Sequence, residues 1–139
     1  MALQLDSLKM AIEALERSLQ ASREESAGLS DALRETIRAG VIQNFEVAYE
    51  LGWKFIQRWI RDNKTPADAD HPRTRKELFR MAARYGLIAD PLPWFEYGDA
   101  RNLTSHTYDA KQAAVVYTVA GRFAADVRDL LQRLEERND

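Results

Sequence analysis

The chain has 139 residues, 45% of them hydrophobic and 30% charged, with no cysteine and a formal net charge of −2. That length suits one domain with a core of its own, and the missing cysteines exclude disulfides and thiolate metal sites. The charge balance excludes a broadly basic nucleic-acid coat, and no stretch approaches the roughly 18 apolar residues of a membrane span.

The first residues, Met1 to Asp6, lack a basic segment followed by an apolar run, so no secretory signal is expected and a soluble, cytoplasmic protein is. Leu5, Leu8, Ile12, Leu15 and Leu19 alternate spacings of three and four and draw one apolar stripe along a first helix. A break is expected around Ser26-Ala27-Gly28. Ser30 then caps a second helix, and Asp31 favours its first turn. The stripe Leu33, Ile37, Val41, Phe45, Ala48, Gly52, Phe55 and Trp59 carries that helix to about Asp62, roughly 50 Å at 1.5 Å per residue. Glu46 and Glu50 stand one turn apart, a like-charge pair that opposes an isolated helix and that faces a dimer cleft, a partner or solvent, the last two being favoured. Trp53 and Trp59 lie about 120° apart around the axis. One helix buries both only if two of its faces are covered, by a second copy or another chain; rim exposure is the alternative.

The stretch from Asp62 to Arg73 is polar, contains Pro66 and Pro72, and reads as a loop. Within it His71, among Asp68, Asp70 and Arg73, makes a poor metal-ligand set, and no metal site is expected. Thr74-Arg75-Lys76-Glu77 is a capping-box signature for a short third helix that stops at Gly86, with Leu87 folded back over its end. Arg73, Lys76, Arg80 and Arg84 share one face of it, which reads as an RNA-backbone surface, a partner surface or an ordinary solvated face. Asp90 ahead of Pro91 opens a fourth helix carrying Trp94, Tyr97 and Arg101. Asp109-Ala110-Lys111-Gln112 opens the last helix, which runs to about Arg137 on the stripe Ala113, Tyr117, Ala120, Ala124, Val127, Leu131 and Leu134. Its small residues Ala120, Gly121 and Ala124 let another helix approach. No stretch reads as a strand. The expected class is all-α, an up-and-down antiparallel bundle of about four to five helices in one domain spanning residues 1–139.

The most polar run between hydrophobic segments is Arg101-Asn102-Leu103-Thr104-Ser105-His106-Thr107-Tyr108. On a continuous helix Arg101, Ser105 and Tyr108 share a face, and Asn102 and His106 share the adjacent one. Arg101 and His106 fall about 140° apart, so a straight helix does not bring them together. Unwinding after Ser105, or a two-fold axis joining two copies, would. The residue types suit phosphodiester cleavage: histidine titrates near neutrality and serves as base or acid, and arginine is a fixed fork for phosphate oxygens. With an RNA 2′-hydroxyl as internal nucleophile, no metal or other cofactor is called for. Asn102 can hold the histidine tautomer, and Tyr108 can contact phosphate or stack on a base. The same run also reads as a capped helix end with no chemistry.

Arg-Asn-x-x-x-His-x-Tyr ahead of a long final helix resembles the HEPN superfamily, specifically the small nucleotidyltransferase substrate-binding proteins of the MNT/HEPN type. Gly40 to Lys54 in the second helix resembles the same group. The resemblance implies a helical homodimer with its Arg–His motif at the dimer cleft, acting as a metal-independent endoribonuclease toxin. It places Arg101 and His106 as the catalytic pair, with Asn102 and Ser105 as polar support. It implies a minimal nucleotidyltransferase encoded alongside that neutralises the toxin by adding AMP to Tyr108, where bulk and negative charge would obstruct RNA. Its other implication is a non-catalytic subunit that binds nucleotide or substrate and completes the active site of that nucleotidyltransferase.

Overall fold

The computed structural model describes residues 2–24, 28–70 and 72–138. The chain is an all-α bundle. Its order is α1 (Asp6–Glu24), α2 (Asp31–Asn63), α3 (Pro66–Asp70), α4 (Arg75–Arg84), α5 (Pro91–Leu103), a 3₁₀ turn (Thr104–His106) and α6 (Ala110–Glu136), with no strand among the described residues. Helix α2 packs against α1 on one side and α6 on another, while α4 and α5 pair and close the remaining face.

The expected caps form. Ser30 Oγ accepts from Leu33 N–H at 3.2 Å, Thr74 Oγ1 from Glu77 N–H at 3.2 Å, and Asp90 Oδ1 from Leu92 N–H at 3.0 Å. Each satisfies a donor that has no carbonyl partner within its own helix. Glu77 reaches back to the Arg73 N–H at 2.8 Å, one residue before the cap, so the capping box is closed in a shifted form. Helix α4 ends in a Schellman motif: Gly86 N–H donates to Ala83 O and Leu87 N–H to Ala82 O, with Gly86 at φ +79° and Leu87 fully buried.

One expectation changes. The presumed loop before Arg73 contains α3, because Pro66 takes the first helical position and Thr65 Oγ1 accepts from Asp68 N–H at 3.0 Å. His71 and the 25–27 part of the first break lie outside the described residues.

The tryptophans do not require a second chain. Trp59 is buried and donates its Nε1–H to Arg137 O at 3.3 Å, tying α2 to the end of α6. Trp53 is half-buried, with the Arg75 guanidinium 3.8 Å above its ring. One face is thus covered by the bundle and the other by a cation from α4. An aromatic cluster of Phe45, Tyr49, Phe79, Trp94, Tyr97 and Phe123 fills the centre. Near the chain ends, Leu3 N–H donates to Asn138 Oδ1 at 2.6 Å and Asn138 Nδ2–H to Leu3 O at 3.0 Å.

Candidate functional site

The octapeptide begins on helix and leaves it early. Helix α5 stops at Leu103 and the chain tightens into a 3₁₀ turn over Thr104 to His106. Thr104 causes this locally. Its hydroxyl donates to Arg101 O at 2.7 Å, and its backbone N–H bonds the same carbonyl, an i to i−3 contact in place of the α-helical one. Thr107 Oγ1 then donates to Thr104 O at 3.1 Å, and Asp109 N–H to His106 O at 3.1 Å. Asp109 Oδ1 caps α6 by accepting from Lys111 N–H at 2.8 Å. The common helical face expected for Arg101, Ser105 and Tyr108 therefore does not exist. Unwinding does occur, two residues earlier than Ser105.

Arg101 is half-buried and held on several sides. Its Nε–H donates to Glu50 Oε1 at 3.1 Å, Nη1–H donates to Thr104 Oγ1 at 2.9 Å, and Nη1 lies 3.7 Å from Glu46 Oε2. Glu50 is fixed in turn, since its Oε2 accepts from Trp53 Nε1–H at 3.0 Å. The like-charge pair on α2, favoured to face solvent or a partner, instead grips the motif arginine, Glu50 from 51 residues away. Its only signal in the sequence was the unfavourable pair itself, which asks for a cation between the two carboxylates.

The remaining motif residues lie apart from that grip. His106 is exposed, and its imidazole makes no hydrogen bond among the described residues; its nearest aromatic neighbour is Tyr108, at 6.4 Å between ring centroids. No hydrogen bond joins His106 to Arg101 or to Asn102 within the chain. Ser105 is exposed and also unbonded among the described residues. Asn102 is directed to α4 and lines a cleft with Trp53, Arg73 and Arg75. Tyr108 is 89% exposed and borders a hollow of about 340 Å³ with Arg38, Ile42 and Ala113. The structure thus brings Arg101 to Glu46, Glu50 and Thr104, sets His106 beside Tyr108, and turns Asn102 to a third location. No cluster of three His, Asp or Glu side chains is placed to hold a metal ion among the described residues, nor is any helix long and apolar enough to cross a membrane.

Comparison with known proteins places the chain in a family. Residues 3–136 match the family described as nucleotidyltransferase substrate binding protein like. A Haemophilus influenzae protein named probable ribonuclease HepT is 39% identical over 106 residues, which cover 76% of this chain and 73% of that protein. A solved Haemophilus influenzae structure, described as revealing the fold of a substrate-binding domain of a nucleotidyltransferase, is 35% identical with a TM-score of 0.88, covering 95% of this chain and 99% of its own. A Thermus thermophilus structure shares the fold at 24% identity and a TM-score of 0.73, over 91% of this chain and 98% of its own.

Proposed function

This chain belongs to the nucleotidyltransferase substrate-binding family, and from that premise we propose that it acts as a homodimeric, metal-independent endoribonuclease whose Arg101 and His106 work together across a two-fold axis. One observation carries the reading. Arg101 is fixed in place by three side chains, whereas His106, five residues on, is exposed and unengaged. A fixed cation and a free imidazole that do not meet within one chain suit a site completed by a second copy. The similar protein named probable ribonuclease supports this reaction class.

In that site Arg101 binds a non-bridging phosphate oxygen and offsets the charge that develops on it. His106 takes the 2′-hydroxyl proton as the 2′-oxygen attacks phosphorus. The P–O5′ bond breaks, and the 5′-oxygen takes a proton from a protonated His106 of the partner subunit or from water. The products are a 2′,3′-cyclic phosphate and a 5′-hydroxyl. Tyr108, exposed beside His106 and sharing a hollow with Arg38, is accessible to a cognate nucleotidyltransferase. AMP on its hydroxyl would put a negative charge beside the imidazole and repel RNA.

A second reading has its own support: the two carboxylates on Arg101 offset its positive charge before any phosphate arrives. A subunit that only presents nucleotide or substrate to a nucleotidyltransferase needs no free clamp, and one similar structure is described as such a domain. A cleavage assay in chelator separates the two, run on the wild type and His106→Ala with intact mass recorded for each. The ribonuclease reading expects cleavage by unmodified wild type only. Absence of cleavage by an unmodified, folded dimer on varied RNAs would replace it with the substrate-binding reading. Persistent cleavage by purified His106→Ala would remove the histidine from the mechanism.

A further inference from the structure

A pair of connected clefts lies on the other side of Asn102 from the Arg101 grip, between α4 and the α2–α5 pair. The outer one, about 400 Å³, is walled by Trp53, Gln57, Arg73 and Arg75. The inner one, about 310 Å³, is walled by Tyr49, Lys76, Phe95, Gly98 and Asp99. Thr74, Arg75 and Asn102 border both.

The chemistry of this trough is cationic and unspent. Arg73, Arg75, Lys76 and Arg80 form no ion pair with a carboxylate among the described residues, whereas Arg61, Arg101, Arg122, Arg128 and Arg133 each do. Three of them, Arg75, Lys76 and Arg80, nonetheless rest against aromatic rings. Arg75 lies 3.8 Å from the Trp53 ring centroid, and Lys76 and Arg80 lie 5.6 and 5.1 Å from that of Phe95. Cations held this way lose little further freedom on binding an anion. The first turn of α4 opens onto the same place; Thr74 takes the Glu77 N–H and the Glu77 carboxylate turns back to the Arg73 N–H, which leaves the N–H groups of Arg75 and Lys76 for an anion.

Tyr49 gives the independent sign of a ligand. Its ring is 1% exposed and it lines the inner cleft; the Arg75 guanidinium stands beside it, 5.8 Å from the ring centroid, but no group among the described residues meets its buried hydroxyl with hydrogen-bond geometry. A buried hydroxyl without a partner is costly and rare in a native protein. Gly98 makes its position possible: a Cβ there would stand 3.0 Å from Tyr49 Oη. Burial raises the Tyr49 pKa against the opposing pull of Arg75, so the hydroxyl keeps its proton and remains a donor.

We propose that this trough is a ribonucleotide-phosphate site, in which Arg73 just before α4 and Arg75 in its first turn take the phosphate and the Tyr49 hydroxyl donates to the ligand from the floor. Asp99 orients it: a carboxylate on the inner wall repels phosphate there and accepts from ribose hydroxyls. The phosphate therefore sits at the outer, arginine-lined end and the sugar at the inner end. The ligand is a free mononucleotide or one nucleotide of an RNA strand. The site is separate from the cleavage reading, since it uses neither Arg101 nor His106.

The test is calorimetric titration with AMP, with hexa-adenylate RNA and with inorganic phosphate, on the His106→Ala protein so that no strand is cut. Arg75→Ala and Tyr49→Phe are compared in that background, and circular dichroism checks their folding. Both are expected to weaken nucleotide binding, Arg75→Ala by about tenfold or more for one lost charge-assisted contact. Tyr49→Phe is expected to leave the thermal midpoint of the free protein unchanged or raised, because it removes an unpaired hydroxyl. Binding of AMP and hexa-adenylate alike would identify a mononucleotide site; binding of hexa-adenylate alone would identify an RNA-strand site. Wild-type affinity in folded Arg75→Ala, equal affinity for inorganic phosphate and AMP, or no binding of either nucleotide overturns the proposal. So does a clear loss of stability in unliganded Tyr49→Phe, which would show that its hydroxyl already has a partner. Each of these outcomes is read independently of whether the wild type cleaves RNA.

Discussion

The grip on Arg101 predicts an ordered set of coupling energies. Glu50 contacts Nε at 3.1 Å and Glu46 reaches Nη1 at 3.7 Å. Two unit charges 4 Å apart interact by about 4 kcal/mol at a protein-surface dielectric and about 1 kcal/mol in water. The side chains of Arg101, Glu46 and Glu50 are 33%, 34% and 29% exposed, so water and salt screen them and the lower figure governs. A double-mutant cycle of Glu50→Gln with Arg101→Gln should therefore give a coupling of about 1 kcal/mol, and the Glu46 cycle roughly half that. The single Arg101→Gln should cost more than either glutamate change. It leaves two carboxylates facing each other one turn apart and takes a donor from Thr104 Oγ1. In a chain of this size 1 kcal/mol moves the thermal midpoint by roughly 3–5 °C. Urea unfolding of the four proteins of each cycle, at low and at high salt, is the assay. Coupling that is absent at low salt, or larger for Glu46 than for Glu50, refutes the geometry of the grip.

Two further outcomes concern the fold. Gly86→Ala should destabilise by about 1–2 kcal/mol, because φ there is +79° and the new methyl meets Arg137 Nη2 at 3.3 Å; a midpoint equal to wild type in urea unfolding contradicts the Schellman ending of α4. Tyr97 is buried and donates to Asp126, and burial followed by that carboxylate raises its pKa well above the ordinary tyrosine value. The folded state thus holds a proton that the unfolded chain releases near pH 10, so this contribution is whole below pH 10 and declines as pH rises above it. Tyr97→Phe should flatten the fall in stability between about pH 9.5 and 11, measured by urea unfolding across that range, and an unchanged slope counts against the shift.

The helix starts were legible because each is a local matter. Ser30, Thr74, Asp90 and Asp109 have their capping acceptors two or three residues from the donors they satisfy. The same holds for the stop at Gly86. The short α3 carried the same kind of signal in Thr65-Pro66, outweighed by the polarity around it. The candidate site was less legible, because its contacts are long-range. Nothing in the spacing of α2 places Glu50 on Arg101, and nothing in the octapeptide says that Asn102 turns to α4. The stop at Leu103 is hidden in the sequence, because a threonine hydroxyl that bonds its own i−3 carbonyl looks like any other threonine. The second tryptophan face, left between a second chain and rim exposure, is covered instead by Arg75, which no periodicity predicts. The basic face of α4 gains its meaning only from the rings beneath it, Trp53 from α2 and Phe95 from α5.

The paired hydrogen bonds between Leu3 and Asn138 make the chain almost a ring. A linker of a few residues would join the two positions without disturbing either helix, and new ends could be opened between α2 and α3 at Lys64-Thr65, where the backbone is exposed. In such a permuted protein α4, α5, the 3₁₀ turn and α6 would remain one uninterrupted segment, with α1 and α2 following it. The octapeptide and the α4 and α5 walls of the trough would then be synthesised before the helix that supplies Glu46, Glu50, Tyr49 and Trp53. The order in which the two halves of the site are made can thus be reversed while every contact described above is kept.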